Sequence, residues 1–139
     1  NDILIADDED DILIGGEGDD TLTGGNGEDI FIWKAGDLSA GLGDRLTDFD
    51  ITEDRIDLRD LLQNETDATI GNFLRVDITT STLQISSNGQ FGNGASADVT
   101  IKLENAGAPV DLSSYGSTSS QIVNSLIAGA DPLVKVDHS

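Results

Sequence analysis

Single large apolar residues recur every nine positions at the start of the chain, at Leu4, Leu13, Leu22 and Phe31. Each is the centre of a three-residue unit: Ile3–Ile5, Ile12–Ile14, Thr21–Thr23 and Ile30–Ile32. Successive strand residues point to opposite faces, so the central residue of a three-residue strand faces the core and its neighbours face away. Six polar residues separate each strand from the next, room for one turn. Two nines then make a full coil with a strand on each side, and turns eighteen residues apart lie one above the other. Six of the eight outward positions are isoleucine, and Thr21 and Thr23 alone suit solvent. Ile12, Ile14, Ile30 and Ile32 are therefore expected to be covered by part of residues 63–139 or by a preceding region. The period of nine ends before residue 40. Leu74, Val76 and Ile78 then alternate with polar residues, and Leu83 and Ile85 follow a Thr-Thr-Ser break, which predicts a hairpin. Residues 88–97 read as a loop. Val99, Ile101 and Leu103 predict a third strand, Val110 and Leu112 a fourth, and Leu133, Val134 and Val136 a last one. Ile122, Val123, Leu126 and Ile127 share one face of a helix over 119–128, capped by Ser119 or Ser120 and ended by Gly129.

The turns carry the chemistry. They read GGEGDD over 15–20 and GGNGED over 24–29, after a degenerate ADDEDD over 6–11. Gly16, Gly18, Gly25 and Gly27 let the turn take positive φ and leave its carbonyls unobstructed. Asp2, Asp11, Asp20 and Asp29 fall nine apart in the last place of each turn. A hard anionic oxygen beside backbone carbonyls is the donor set calcium prefers. Stacking puts Asp11 over Asp29, the complete site, and Asp2 over Asp20, which lacks most of its upper turn because the chain starts in mid-repeat. In the degenerate turn Asp8 and Asp10 add oxygens, Asp8 through its carbonyl. A dinucleotide fingerprint is excluded, since Gly16-Glu17-Gly18 and Gly25-Asn26-Gly27 lack the third glycine and a strand–helix frame. Trp33–Leu38 reads as a decayed turn that caps the stack, keeping Gly36 but with Leu38 in place of the acid and Asp37 one position early.

Charge sharpens this picture. The chain has 139 residues and a net charge of −20. Residues 1–60 hold 19 acids and 4 bases, and no base precedes Lys34. Nucleic acid and anionic lipid need a basic surface, so both are poor partners. Carboxylates crowded to about 4 Å repel by roughly 4 kcal/mol at an effective dielectric near 20. The first part should therefore not stay folded without cations, and metal-binding energy becomes folding energy. Cysteine is absent, which excludes disulfides and thiolate metal sites. No apolar run is long enough to span a bilayer. His138, the one histidine, and the Asn64-Glu65-Thr66 sequon are read as inert.

The second and third nonapeptides match G-G-x-G-x-D-x-U-x, a consensus already established for RTX proteins. Residues 43–58, GDRLTDFDITEDRIDL, resemble the segment that closes the repeats in that family, with Leu46 where isoleucine is usual. The resemblance implies further calcium ligands among Asp44, Asp48, Asp50, Asp54 and Asp57; the alternative is a solvated acidic strand and turn. Asp57 also suits the N-cap of a single helical turn over 58–62. The fold implied is mainly all-β: a parallel β-roll over 1–38, a roll-closing acidic segment over 39–62, and a β-rich region with one short helix over 63–139. The chain resembles the C-terminal end of a large RTX adhesin or toxin of a Gram-negative bacterium. Such proteins leave the cell by type I secretion, read by an ABC transporter through an uncleaved C-terminal signal, and fold outside in calcium. The resemblance implies a secreted or surface-bound monomer that inserts into no membrane. Three functions compete: a calcium-folded secretion and capping module, a calcium-dependent ligand-binding adhesin domain, and an enzyme. The last has least support, because no H-E-x-x-H or G-x-S-x-G motif is present.

Overall fold

A computed structural model describes residues 1–35, 42–62, 69–94, 97–128 and 132–136. Four expectations fall outside them: the decayed turn at Gly36, Asp37 and Leu38, the Asn64 sequon, the helix stop at Gly129, and His138. The described chain is mainly β with one helix. The strands in chain order are β1 (Ile3–Ile5), β2 (Ile12–Leu13), β3 (Thr21–Thr23), β4 (Ile30–Ile32), β5 (Leu42–Leu46), β6 (Arg55–Asp57), β7 (Leu74–Asp77), β8 (Thr82–Ile85), β9 (Val99–Asn105), β10 (Ala108–Pro109) and β11 (Val134–Lys135), with α1 (Ser119–Leu126) between the last two.

Alternate strands belong to different sheets, as the nine-residue spacing requires. β1 pairs in parallel with β3, and Leu4 lies beside Leu22. β2 pairs in parallel with β4, and Leu13 lies beside Phe31. The register is eighteen residues in both. β5 continues the first sheet with Leu46 beside Leu22, and β6 continues the second with Ile56 beside Phe31. The apolar centres of these strands close into one core: Leu13, Leu22, Phe31, Leu46 and Ile56 are all buried. Phe49, from the acidic segment, packs its ring 6.1 Å from that of Phe31.

The later residues complete the same two sheets. β9 lies in parallel against β5, with Leu103 beside Leu46, and carries the antiparallel β8 and β7 outward from there. The sheet order is β1-β3-β5-β9-β8-β7, with β10 pairing β9 at its end. β11 returns to lie in parallel beside β6, giving β11-β6-β4-β2. Leu58 and Leu62 close one helical turn, and Asp57 accepts the Arg59 amide at its start, as expected of a cap. Val110 and Leu112 are buried but lie beyond the two-residue strand β10, because the chain has already turned at Ala106 and Gly107, both at positive φ. The cap of α1 is Thr118, whose hydroxyl accepts the Gln121 amide at 3.2 Å. Ser119 instead accepts the Val76 amide of β7 at 2.9 Å, tying the helix to the edge strand. Ile122, Val123 and Leu126 are buried, and Ile127 only half so.

One expectation fails in part. Ile12 is 67% and Ile14 38% exposed, whereas Ile30 and Ile32 are half-buried. The C-terminal strands extend the sheets sideways and do not layer over them. Ile30 and Ile32 gain cover from strands on both flanks, and β2 has a partner on one flank only. Phe31 is fully buried where both sheets and Phe49 meet, so Phe31→Ala should cost about 3–5 kcal/mol, read from the denaturation midpoint at fixed calcium.

Candidate metal centre

Each turn ends on an aspartate that immediately precedes a strand or its first residue, and the next coil reaches back to it. The Asp20 carboxylate accepts the Asp2 amide at 2.6 Å through Oδ1, and Asp44 Oδ1 accepts the Asp20 amide at 2.7 Å. On the other side Asp29 Oδ1 accepts the Asp11 amide at 3.0 Å, and Asp54 Oδ1 accepts the Asp29 amide at 3.1 Å. The aspartates thus form two columns, Asp2–Asp20–Asp44 and Asp11–Asp29–Asp54. The carbonyl of each upper member accepts a strand amide from the coil below: Thr21 on Asp2, Arg45 on Asp20, Ile30 on Asp11 and Arg55 on Asp29. Every rung is therefore clamped at two points. Hydrogen bonds to a charged acceptor are worth about 1.5–3 kcal/mol each.

Asp20, Asp29, Asp44 and Asp54 are all buried. The second oxygens of Asp20 and Asp29 accept no hydrogen bond from any described residue and are out of contact with solvent. Each folds back over the first glycine of its own turn. A Cβ on Gly15 would come within 2.6 Å of Asp20 Oδ2, and a Cβ on Gly24 would collide with Asp29 Oδ2. Gly16, Gly18, Gly25 and Gly27 take φ of +85°, +111°, +94° and +116°. Gly25 and Gly27 receive the carbonyls of Asp7 and Glu9 from the turn above, where a side chain would clash. The turns thus present carbonyls and carboxylates to one another with nothing between them but backbone.

The remaining expected residues lie around these columns. Asp48 accepts the amides of Gly24 at 3.0 Å and Gly25 at 2.7 Å, so it holds the start of the third turn from below. Asp8 and Asp10 are exposed on the rim, where Asp8 accepts the Asn26 side chain at 2.8 Å and Asp10 the Glu28 amide at 2.9 Å. The Asp50 side chain closes its own turn onto Thr52, and its amide donates to Asp54 Oδ2 at 2.8 Å. Asp57 is engaged by Arg59 at 2.7 Å. Trp33 opens the segment that the sequence reads as a decayed turn. It is buried, and its indole Nε1 also donates to Asp44 Oδ2 at 2.6 Å. A lone indole bordering a stretch without bases was the available signal.

Burial pushes the Asp54 carboxyl up to about 6, with the charges of Asp29 and Asp48 adding to the effect against hydrogen bonds from the amides of Asp50 and Asp29. Burial likewise raises Asp29, where Asp11, Asp48 and Asp10 contribute, and Asp44, where Asp20 and Asp19 contribute. A buried anion that lacks a partner takes up a proton or a cation. The donors are hard oxygens only, which suits calcium and not a soft metal. Among the described residues no three acidic or histidine side chains converge on one point. An ion here would be held by one or two carboxylates and a majority of backbone carbonyls.

The model of the serralysin C-terminal domain of M10 peptidases matches residues 5–104. The chain belongs to this family. The match spans the nonapeptides, the acidic segment and the strands through β9, and bears out the resemblance to an RTX C-terminal region. Among solved structures, the crystal structure of the C-terminal domain (RV) of MpAFP is similar at a TM-score of 0.47 and 26% identity, over 79% of this chain and 86% of that one. No curated protein sequence gives a significant match.

The raised carboxyls set a direction for pH. A carboxyl that titrates near 6 when folded and near 3.8 when unfolded binds its proton more tightly in the folded state. Without divalent cation the fold is then penalised above pH 6, and the penalty is relieved as pH falls through 6 towards 4. Circular dichroism in chelator should show β-sheet signal gained from pH 7 to pH 5, and the gain should shrink in saturating calcium.

Proposed function

We propose that this chain is a calcium-folded module at the C-terminal end of a secreted RTX protein, and that it carries the signal for type I export. The observation that supports it best is the pair of buried carboxylate oxygens on Asp20 and Asp29, each without a partner among the described residues and each set in a glycine cradle. On this reading residues 1–38 coil as a parallel β-roll, residues 39–62 close it, and residues 63–139 are the target region that also completes the sheets. Ligands come from Asp2, Asp11, Asp20 and Asp29 in the columns, from the carbonyls of Gly16, Gly18, Gly25 and Gly27, and from the rim at Asp8 and Asp10. Asp44, Asp48, Asp50 and Asp54 belong to the closing end. Bound calcium supplies positive charge between turns that otherwise repel. The module itself is monomeric and performs no catalysis, and the parent is an adhesin of the Gram-negative surface or medium. No helix among the described residues is long and apolar enough to cross a membrane.

A second reading, a calcium-dependent adhesin domain that grips a ligand through the ion, needs a cation with open coordination positions at the surface. Asp20 and Asp29 are fully buried instead, which favours the folding role.

Calcium added to chelated protein should raise the β-sheet circular dichroism and change Trp33 emission, with a midpoint between sub-millimolar and millimolar, and magnesium should substitute poorly. Asp29→Ala should shift that midpoint to higher calcium by at least tenfold, and Asp8→Ala by much less. Equal spectra in calcium and chelator would refute the reading. Export is tested separately, with a passenger fused to residues 1–139 in a host carrying a matching type I system. Deleting residues 117–139 should abolish its secretion, whereas Asp11→Ala with Asp29→Ala should leave export intact and impair folding outside.

A further inference from the structure

The four buried aspartates of the two columns, Asp20, Asp29, Asp44 and Asp54, are alike in one oxygen and differ in the other. In all four, Oδ1 accepts the amide of the rung above or is donated to by the column in the same sense. On Asp20 and Asp29 the second oxygen has no hydrogen-bond partner among the described residues and faces the glycine that opens its own turn. On Asp44 the second oxygen receives the Trp33 indole N–H at 2.6 Å, and on Asp54 it receives the Asp50 amide at 2.8 Å. The two columns therefore change partner at the same level, one coil below Asp20 and Asp29. They do so with unrelated donors, one a side chain and one backbone.

A nitrogen donor and a calcium ion compete for the same lone pairs. A carboxylate oxygen held by a short buried N–H bond has its charge partly satisfied, and binding an ion there would require that bond to break inside the core. We infer that Trp33 and the Asp50 amide end the two ion columns, each N–H standing where a further calcium would otherwise sit. Asp44 and Asp54 are then not calcium ligands through their second oxygens; they are the floor of the stack. This inference rests on the calcium reading above and goes beyond it in fixing where binding stops. It also differs from what the family resemblance implied for Asp44 and Asp54.

The same level is where the repeat spacing breaks. Asp20 is followed in its column by Asp44, 24 residues on, and Asp29 by Asp54, 25 residues on. The coils above them advance by eighteen. Neither of the longer turns carries the G-G-x-G pattern of residues 15–18 and 24–27. Loss of the G-G-x-G pattern and gain of the N–H donor coincide on both sides. Trp33 is in this sense a positioning residue: it acts on the metal stack through Asp44 and touches no ion itself.

The test uses the full chain. Calorimetric titration with calcium should give two ions per molecule, one for each unpartnered oxygen, and Asp20→Asn and Asp29→Asn should each remove one. Trp33 is the single tryptophan, so its indole N–H gives one isolated proton resonance. In calcium-saturated protein that resonance should stay far downfield and exchange slowly with solvent, and Asp44→Ala should abolish both properties. Trp33→Phe keeps an aromatic ring and removes the donor, and should admit a third ion. If that variant does not fold, the wild-type indole resonance decides alone. Three or more ions in the wild type, or an indole proton that loses its downfield shift on calcium binding, would overturn this inference and leave the calcium reading standing. Zero ions would overturn both.

Discussion

A buried carboxylate with one oxygen bonded and the other bare is the constraint on which this fold turns. Its bonded oxygen fixes the height of one coil against the next, because it reaches the amide of the aspartate above. Its bare oxygen makes the same arrangement expensive in the absence of a cation. The first effect specifies register, and the second makes the register conditional. Neither could be had from a neutral side chain: asparagine would present the amide hydrogens of its other end to the glycine cradle, and an apolar residue would leave the amide above without an acceptor. The glycines follow from the carboxylates, since only a residue without Cβ leaves room for an oxygen folded back over its own turn.

The core is organised to match. A three-residue strand contributes one inward side chain, so each coil brings only two to the interior. A stack of such coils has little apolar area per residue, and the sheets gain solidity where other strands join them. β9 and β11 do this by pairing in parallel with β5 and β6, which puts Leu103 and Val134 in line with the apolar centres of the coils. The fold is thus one continuous core running from the acidic coils to an end with an ordinary hydrophobic interior.

The period of nine made the first four strands and the eighteen-residue register legible, because there the side-chain pattern and the backbone geometry repeat together. The hairpin of β7 and β8, the strand β9 and the helix were legible from local alternation. Two things were not. The alternation at Val99–Leu103 says that a strand exists but not that it will lie beside Leu42–Leu46, since that pairing depends on which sheet edge is open when it arrives. The C-terminal apolar pair at Leu133-Val134 likewise reveals nothing about β6. The column positions of Asp20 and Asp29 followed from spacing, but Asp44 and Asp54 sit at offsets of 24 and 25, outside the repeat, and only the family pattern pointed to them. The exposure of Ile12 was not legible either, because the cover that Ile30 and Ile32 have comes from strands on both flanks, and β2 has a partner on one flank only.

The parallel pairing of β11 with β6 has a consequence for timing. Some 78 residues separate Val134 from its partner Ile56, and the contact closes a long loop whose entropic cost must be met before any neighbouring contact rewards it. During synthesis the strands β2, β4 and β6 emerge well before β11 exists, so that sheet has an open edge at β6 until β11 emerges. β5 waits in the same way for β9. A chain whose early strands are completed by its late ones thus leaves an edge of each sheet unpaired until β9 and β11 arrive.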